Sequence, residues 1–582
     1  MATFHELLAE AQALRASGRS REAEQRIRQL LVGHGDEPLA HLALAQALAE
    51  QDRLEEAVAS FQQAAQLDPA SIDIDTQLRR AAAALETRRG VALVDARRFD
   101  EALACYRRAL EADPNCVAAY GNLGNLLGVQ RRLDEAATCF RRVIELDPNM
   151  PHAHHALAMI ADQQGQLETA AAHYQRLLKL APPTAELQHR LGQRLAQLDR
   201  PAEAAERFRR ALALNPHALT SQHNLGVMLA RSGQFDEALA VQRQTAARSP
   251  DDPESHIALG GTLLILGRLA EGWPEYEWRT QLQITAPPPL QWKLWQGEPL
   301  AGRTIVLCAE QAIGDVLQFV RFAPLLQAGG ARVIVRCAAL LQPILSRTPG
   351  IDGWLTDPAA WYAADFCVPM MSVPLRLGTT LANIPAEVPY ILPDPVLVEA
   401  WRQKLATHSG FKIGIVWQGS KIGDLGRSMS LAHFAPLAAV PGVCLVNLQK
   451  GHGVEQLPAF AATHPIVDFG ETVDSTAGAF MDTAAIMRNL DLVITADTAT
   501  AHLAGALGVN VWVALRRVPE WRWLLDRDDS PWYPTMRLFR QTQLGQWDAV
   551  FQNMRAALQR VVSANAASAS TASPKTAGQV PR

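Results

Sequence analysis

The sequence predicts an all-α repeat array followed by two α/β domains, and three observations predict it. A motif recurs every 34 residues through the first half of the 582-residue chain, short β-rich runs alternate with helical segments through the second, and all 13 tryptophans lie at or beyond Trp273. A fixed period of that size marks stacked supersecondary units, whereas strands alternating with helices mark parallel sheets wrapped by helices. The tryptophan boundary says that the two halves are built differently and join near it.

Composition excludes several classes. Apolar residues make up 48% and charged residues 20%, with a formal charge of -4 from 55 basic and 59 acidic side chains. That balance fits neither a disordered acidic chain nor a basic nucleic-acid binder. No stretch approaches the roughly 18 uninterrupted apolar residues of a spanning helix. The start, Met1-Ala-Thr-Phe-His-Glu, lacks the basic-then-apolar signature of a secretory signal, so a cytoplasmic location is expected. The seven cysteines are scattered with no C-x-x-C pair, which predicts reduced, mostly buried thiols and no metal site.

In the array a Glu-Ala or similar pair ends at Ala23, Ala57, Ala102, Ala136, Ala170, Ala204 and Ala238, and prolines recur at Pro69, Pro114, Pro148, Pro182, Pro216 and Pro250. The single 45-residue step, from Pro69 to Pro114, implies 11 extra residues around Ile72 to Ala82. Within one unit, Val117 to Met150, two apolar-periodic segments flank Arg131-Arg132-Leu133-Asp134 and close on Leu146-Asp147-Pro148, which reads as helix, turn, helix, stop. Small residues at Gly124 and Ala136 let the two helices approach closely. Asp73-Ile-Asp75, in the extra segment, reads as an exposed face. The last unit is modified: Gly272 replaces the alanine and Trp273, Tyr276 and Trp278 make its second helix aromatic, so it is expected to dock onto the C-terminal half.

The N-L-G-N at Asn122 to Asn125, D-E-A at Asp134 to Ala136 and L-D-P at Leu146 to Pro148 resemble the tetratricopeptide repeat, over about eight units spanning residues 4–286. The resemblance implies a superhelix whose concave groove, lined by each unit's first helix, holds an extended peptide or another protein. His155, His189 and His223 stand 34 residues apart at one position of three consecutive first helices. They read either as a ladder of hydrogen-bonding groups in that groove or as three solvated histidines. A shared metal is not expected, because stacked helices are separated by roughly 8–10 Å.

After Thr285 to Leu290 the strand candidates are Thr304 to Ala309, Arg332 to Arg336, Lys412 to Trp417, Val443 to Asn447, Asp491 to Thr495 and Asn510 to Leu515. The proline-rich Pro385 to Pro395, followed by a helical Val396 to Leu405, divides the region into domains 287–395 and 396–562. Such a pair places its ligand in a cleft beyond the carboxyl ends of the strands. Residues 563–582, mostly Ala, Ser and Thr, are expected to be disordered.

Two strand-to-helix junctions carry chemistry. In Ala309-Glu-Gln-Ala-Ile-Gly314-Asp315, Gly314 permits a tight turn and Asp315 starts a helix, where an Asp is usually a cap. In Ile494-Thr-Ala-Asp497-Thr498-Ala499-Thr-Ala-His502, a buried strand delivers an Asp-Thr pair to a helix N-terminus, whose free N–H groups and dipole favour a phosphate.

E-Q-A-I-G-D at Glu310 to Asp315, W-Q-G at Trp417 to Gly419, R-S at Arg427 and Ser428, D-T-A at Asp482 to Ala484, A-D-T-A-T-A-H-L-A-G-A-L at Ala496 to Leu507, W-R-W at Trp521 to Trp523 and S-P-W-Y-P at Ser530 to Pro534 together resemble the GT-B glycosyltransferases of the heptosyltransferase-like kind, built of two Rossmann-like domains and often fused behind tetratricopeptide repeats in bacteria. The resemblance implies inverting, metal-independent transfer of a sugar from a nucleotide-diphosphate sugar, with no cofactor, to an acceptor recruited by the repeat groove. Asp315 matches the catalytic base of that family, against the plain reading of a helix cap. Asp497, Thr498, Ala499 and His502 match the donor-diphosphate motif, with Arg427 and Lys421 adding positive charge. Ser428 belongs to the same donor motif, Trp417 to Gly419 form a pocket wall, and Gln449 and Lys450 stand at its rim. Ala312 and Ala499 depart from the family, which commonly has glycine at both. The Trp521 to Pro534 cluster reads as packing or as acceptor recognition. A rival expectation is a protein-interaction scaffold whose α/β half is inactive or only senses nucleotides, and the acceptor is open, a protein side chain included.

Overall fold

In a computed structural model of the chain, residues 3–282, 292–357, 363–420 and 426–571 are described. They form two compact units, Met1–Pro216 and His217–Arg582. The first holds six helix pairs: α1 (Phe4–Ala16) with α2 (Ser20–Leu31), α3 (Pro38–Glu50) with α4 (Leu54–Leu67), α5 (Ile72–Asp95) with α6 (Phe99–Ala112), α7 (Val117–Val129) with α8 (Leu133–Leu146), α9 (Pro151–Gln163) with α10 (Leu167–Leu180), and α11 (Ala185–Gln197) with α12 (Pro201–Leu214). The second opens with two more, α13 (Leu219–Arg231) with α14 (Phe235–Arg248) and α15 (Pro253–Ile265) with α16 (Leu269–Tyr276). The repeat pairs therefore run across both units and end at Tyr276.

All eight pairs turn in the same way. The middle residue of each three-residue turn is left-handed: Gly18, Asp52, Arg97, Arg131, Gly165, Asp199, Gly233 and Gly267. The next residue's N–H reaches back to the fifth preceding carbonyl, as in Arg132 N–H to Leu127 O at 3.0 Å and Arg268 N–H to Leu263 O at 2.9 Å. That is the Schellman closure, which satisfies orphan carbonyls at a helix end and aims the following helix back along the first. Close approach follows from missing side chains: a Cβ on Gly124 would lie 2.9 Å from the Phe140 ring.

The 11 extra residues lengthen one helix. α5 has 24 residues where the other first helices have 13. Eleven residues make about three turns at 3.6 per turn, so the added length does not rotate the buried face. Ile74, Ala81 and Leu85 are accordingly all buried, whereas Asp73 and Asp75 are exposed and Asp75 pairs with Arg79 at 2.9 Å.

Beyond the repeats, eleven strands among the described residues make two all-parallel sheets: β1 (Lys293–Leu294), β2 (Thr304–Cys308), β3 (Arg332–Arg336), β4 (Gly353–Leu355) and β5 (Phe366–Pro369) in the order β1-β5-β2-β3-β4, and β6 (Phe411–Val416), β7 (Val443–Asn447), β8 (Ile466–Val467), β9 (Leu492–Ala496), β10 (Val511–Leu515) and β11 (Met536–Arg540) in the order β11-β10-β9-β6-β7-β8. The six expected strands are present; β1, β4 and β8 were not anticipated, because runs of two or three residues carry little periodicity, and β5 and β11 were not anticipated either. In each sheet the chain order reverses at one place, between β2 and β5 and between β6 and β9, and such a reversal opens a crevice at the strands' carboxyl ends.

Side chains alternate across the second sheet. Val416, Val446, Val493, Val511 and Val513 enter one apolar cluster, while Ile413, Ile415, Trp417, Leu445, Ile494 and Trp512 enter another. Residues 385–394 are not a free linker: Ile391 is fully buried, and Tyr390 N–H donates to Ala506 O at 3.0 Å. The helix Pro395–Ala406 follows as expected. The final helix, Asp548–Thr571, runs into the stretch expected to be disordered, and residues 572–582 lie outside the described residues.

The modified repeat docks on the first sheet's region and on the W-R-W segment. Trp273 Nε1–H donates to Thr379 O at 2.9 Å and its ring meets Trp521 edge-on at 5.3 Å. Just beyond α16, Arg279 donates to the Glu310 carboxylate at 2.9 and 3.2 Å, and Glu310 also accepts from Met371 N–H at 2.9 Å. Glu310 stands two residues past β2 and Met371 follows β5, so an arginine from the repeat side is tied to the loops at the first sheet's reversal. None of the seven cysteines is in a disulfide, and five are buried. Among the described residues no helix is long and apolar enough to cross a membrane.

Candidate functional site

The second sheet's crevice is open. A cavity of about 520 Å³ lies at the ends of β6, β7 and β9, lined by Gln418, Gly419, Gln449, Lys450, Thr498 and Ala499 among others, all from the second α/β region. Thr498 and Ala499 begin the helix Ala499–Ala506, whose unpaired N–H groups and dipole give this wall a positive end. Gly419 lies close to Thr498, since a Cβ there would stand 3.4 Å from its methyl group. Ser428 Oγ accepts from Gly419 N–H at 3.1 Å and so fixes the loop after β6.

Gln449 organises the floor. Its Oε1 accepts from Trp417 N–H at 3.1 Å and Gln418 N–H at 2.9 Å, and its Nε2–H₂ donates to the Gln418 and His452 carbonyls at 3.0 and 2.7 Å. Lys450 Nζ donates to Val473 O and stands 3.6 Å from Asp474. Trp417 corrects an expectation: its ring is fully buried in the core on the other face of the sheet and its indole N–H donates to Gly453 O, so it supports the wall without lining it. Strand alternation sends Val416, not Trp417, toward the cavity. Lys421 lies outside the described residues.

A second cavity, about 420 Å³, adjoins the same loops. It is lined by Val227, Ala230 and Arg231 of α13, Ile257, Ala258, Gly261, Thr262 and Ile265 of α15, and, from the α/β side, by Arg427, Asp497, Arg516, Glu520 and Trp521. Burial pushes the Asp497 carboxyl up, with the Arg427 charge opposing it, and burial likewise pushes Glu520 up against the pull of Arg522.

Between these features lies a buried polar cluster. Asp315 Oδ2 accepts from Ala312 N–H at 2.9 Å, closing the helix start, and Oδ1 accepts from Arg522. Arg522 also donates to Gln318 Oε1 and pairs with Glu520, each at 2.6 Å. Burial works against its charge, but Glu520 and Asp315 outweigh that and hold the guanidinium above its ordinary value. His502 shares a 2.9 Å hydrogen bond with Tyr533 and stacks on Trp523 at 5.3 Å. Burial, then the Arg522, Arg321 and Arg427 charges, push its imidazole well below the usual range, so it is neutral.

The two junctions singled out in the sequence do meet. Gly314 is not the turn residue expected, since it sits inside the helix Ile313–Phe319 while Gln311 takes the left-handed conformation. Its lack of a side chain instead lets it contact His502 and Ala499. Arg522 and Glu520 were missed as participants; the W-R-W motif was visible, but pairing across about 200 residues leaves no periodic trace. Asp315 lines neither cavity.

The three histidines share a helical position but not an environment. His155 is exposed, and His189 is half-buried edge-on to Phe208 at 5.3 Å, where burial and then Arg190 lower its pKa. His223 is half-buried on α13, one turn before Val227. Among the described residues no group of three or more His, Cys, Asp or Glu is placed to hold a metal ion.

The tetratricopeptide repeat family matches residues 8–72, 87–151, 122–185, 189–253 and 231–272, so the helix pairs are tetratricopeptide repeats. Protein FlbA of Caulobacter vibrioides is 30% identical over 330 residues, covering 51% of this chain and 53% of that protein. The chain thus spans about half the length of the curated relative it matches. Among solved structures, YrrB, described as a TPR protein with an unusual peptide-binding site, is 21% identical over 31% of this chain and 92% of that one, with a TM-score of 0.28. MamA is 20% identical over 29% and 92%, with a TM-score of 0.27.

Proposed function

We propose that the chain is a GT-B-type glycosyltransferase that moves a sugar from a nucleotide-diphosphate sugar to an acceptor recruited by its repeats, inverting and without metal, in a cytoplasmic setting. The observation that carries this reading is the 520 Å³ cavity at the reversal of the second sheet, where Thr498 and Ala499 bring a helix N-terminus to Gly419, Gln449 and Lys450. A diphosphate at that helix start gains hydrogen bonds and a favourable dipole, and its leaving charge is stabilised as the bond to the sugar breaks. Calorimetry of the full chain against UDP-, GDP-, ADP- and CDP-sugars tests it. Binding of one of them, lost in Thr498→Pro, which removes no charge but distorts the helix start, is expected; no binding by any donor would sink the reading.

A second reading is a partner-binding scaffold with an inactive α/β half. The observation favouring it is that the base expected at Asp315 has both oxygens engaged, by Arg522 and by Ala312 N–H. Donor binding with no turnover under any acceptor condition is its signature.

A further inference from the structure

Two buried arginines cross the seam between the sheets in opposite directions, and they are held in different ways. Arg321, in the turn Val320–Phe322 after the Asp315 helix, donates to the carbonyls of Gln318, Trp532 and Pro385 at 2.8, 2.5 and 3.3 Å and to Tyr390 Oη at 2.7 Å, and it lies over the Tyr533 ring at 4.4 Å. Packed backbone holds it as a fixed post. Arg522 comes the other way, from the turn Trp521–Trp523 between β10 and β11, and side chains alone hold it: Asp315, Gln318 and Glu520. Each residue of this turn leans on a different neighbour. Trp521 meets Trp273 and Tyr276 of the last repeat pair edge-on at 5.3 and 6.0 Å, Arg522 covers Asp315, and Trp523 stacks on His502. The turn is also held under load. Leu524, next in the chain and buried, has φ 53° and ψ -165°, close to a combination that is essentially glycine's alone and that other residues keep only where their surroundings enforce it. Gln318, fully buried, accepts from Arg522 while its own Nε2–H₂ donates to nothing among the described residues, a further cost of this arrangement.

We propose that the turn Trp521–Trp523 is a gate over Asp315, shut in this structure, which tilts open about Leu524 while Arg321 keeps the two sheets in place, and that the last repeat pair sets its position through Trp273 and Tyr276. What Asp315 does once uncovered rests on the sugar-transfer reading above; the gate itself does not. Shut, the gate takes the oxygen that the helix start leaves over, since Oδ2 accepts from Ala312 N–H and Oδ1 from Arg522. Open, Oδ1 is released while Oδ2 still closes its helix. Arg522 does not travel bare, because Glu520 belongs to the same segment, pairs with it at 2.6 Å and accepts from its backbone N–H at 3.0 Å. Keeping one carboxylate spares the large cost of a buried, unpaired charge. Room for the movement lies on the outer side, where Glu520 and Trp521 line the 420 Å³ cavity. Tyr276 and α15 wall the same cavity, so the last repeat pair limits how far the segment can go.

Hydrogen exchange of the full-length chain, followed by mass spectrometry, measures the gate without any substrate. The reporters are Trp523 N–H and Leu524 N–H, each bonded within the turn at 3.2 Å, and the reference is the Val320 and Ala323 N–H groups beside Arg321. In the wild type the reporters are expected to open locally, with protection roughly tenfold or more below the reference. Equal protection, lost only on global unfolding, would overturn the gate. Leu524→Gly relieves the strain, whereas Leu524→Ala loses the side chain but keeps it, so the glycine variant is expected to protect the reporters roughly 3–30-fold better than the alanine one. No difference between them would overturn the hinge at Leu524. Trp273→Leu is expected to lower reporter protection more than reference protection, and an unchanged ratio would overturn control by the repeats. Calorimetry with the nucleotide-sugar panel tests the other premise separately: absence of donor binding in a chain whose turn opens as expected would sink the role given to Asp315 and leave the gate standing. Where donor binds, Leu524→Gly is expected to match the wild type in affinity and to transfer sugar several-fold more slowly, and transfer at the wild-type rate would overturn the gating of Asp315.

Discussion

Gly314 and His502 touch across the starts of two helices that belong to different sheets: a methyl group on residue 314 would stand 3.0 Å from His502 Cδ2. His502 cannot yield easily, because Tyr533 holds one edge of its ring and Trp523 covers a face. Gly314→Ala gains about 1 kcal/mol of helix propensity. Overpacking of about 1–3 kcal/mol outweighs it. A net loss of stability is expected in thermal unfolding, and an unchanged or raised midpoint would show that the contact is slack.

Because every tryptophan lies at or beyond Trp273, tryptophan fluorescence during denaturation reports on the second unit alone. Glu310→Ala takes from Arg279, itself 2% exposed, the carboxylate that holds it by two hydrogen bonds, leaving Glu277 at 3.0 Å as its other acidic neighbour. Removing one member of a buried pair costs about 3–5 kcal/mol, whereas replacing both by apolar residues is often neutral. The urea midpoint is therefore expected to fall in Glu310→Ala and to recover in the double variant Arg279→Met with Glu310→Met.

Acid is expected to weaken the same unit through His502. Its folded pKa lies well below the ordinary value near 6.5, so the unfolded chain binds the proton first as pH falls. The stability held by the neutral ring is complete above about pH 6.5 and declines by about 1.4 kcal/mol per pH unit until the folded pKa is reached. Urea midpoints from pH 7.5 downward measure the slope, and His502→Asn is expected to flatten it.

Gln449→Ala deprives the backbone N–H groups of Trp417 and Gln418 of their shared acceptor. Each buried orphan costs about 1–3 kcal/mol. The loop after β6 is expected to loosen, with the urea midpoint followed by tryptophan fluorescence falling while the unfolding midpoint of the repeats, followed by far-UV circular dichroism, stays put.

Local regularity was legible in the sequence and distant pairing was not. The 34-residue period located every helix pair, and even the 11-residue excess was visible, though only the structure shows it drawn into α5. The strands at the cavity were readable from their β-branched runs, and Gly419, Gln449, Lys450, Thr498 and Ala499 do gather around one space. Trp417 was misplaced because a motif gives residue order without saying which sheet face the strand's last side chain takes. Asp315 with Arg522, Glu310 with Arg279, and Asp497 with α15 are joined only by folding, and no window of sequence contains both partners.

The break at Pro216 and His217 sets a rule for how such a chain can be edited. Helix pairs α1 to α12 form a unit of their own, so their number is a quantity that duplication or deletion can change one period at a time. The last two pairs have lost that freedom: Trp273 and Arg279 are packed into the α/β region, and α13 and α15 wall a cavity there. A transplantable cassette therefore begins at residue 217, and a cut at the compositional seam near 286 would strip Trp521 and Glu310 of their covers.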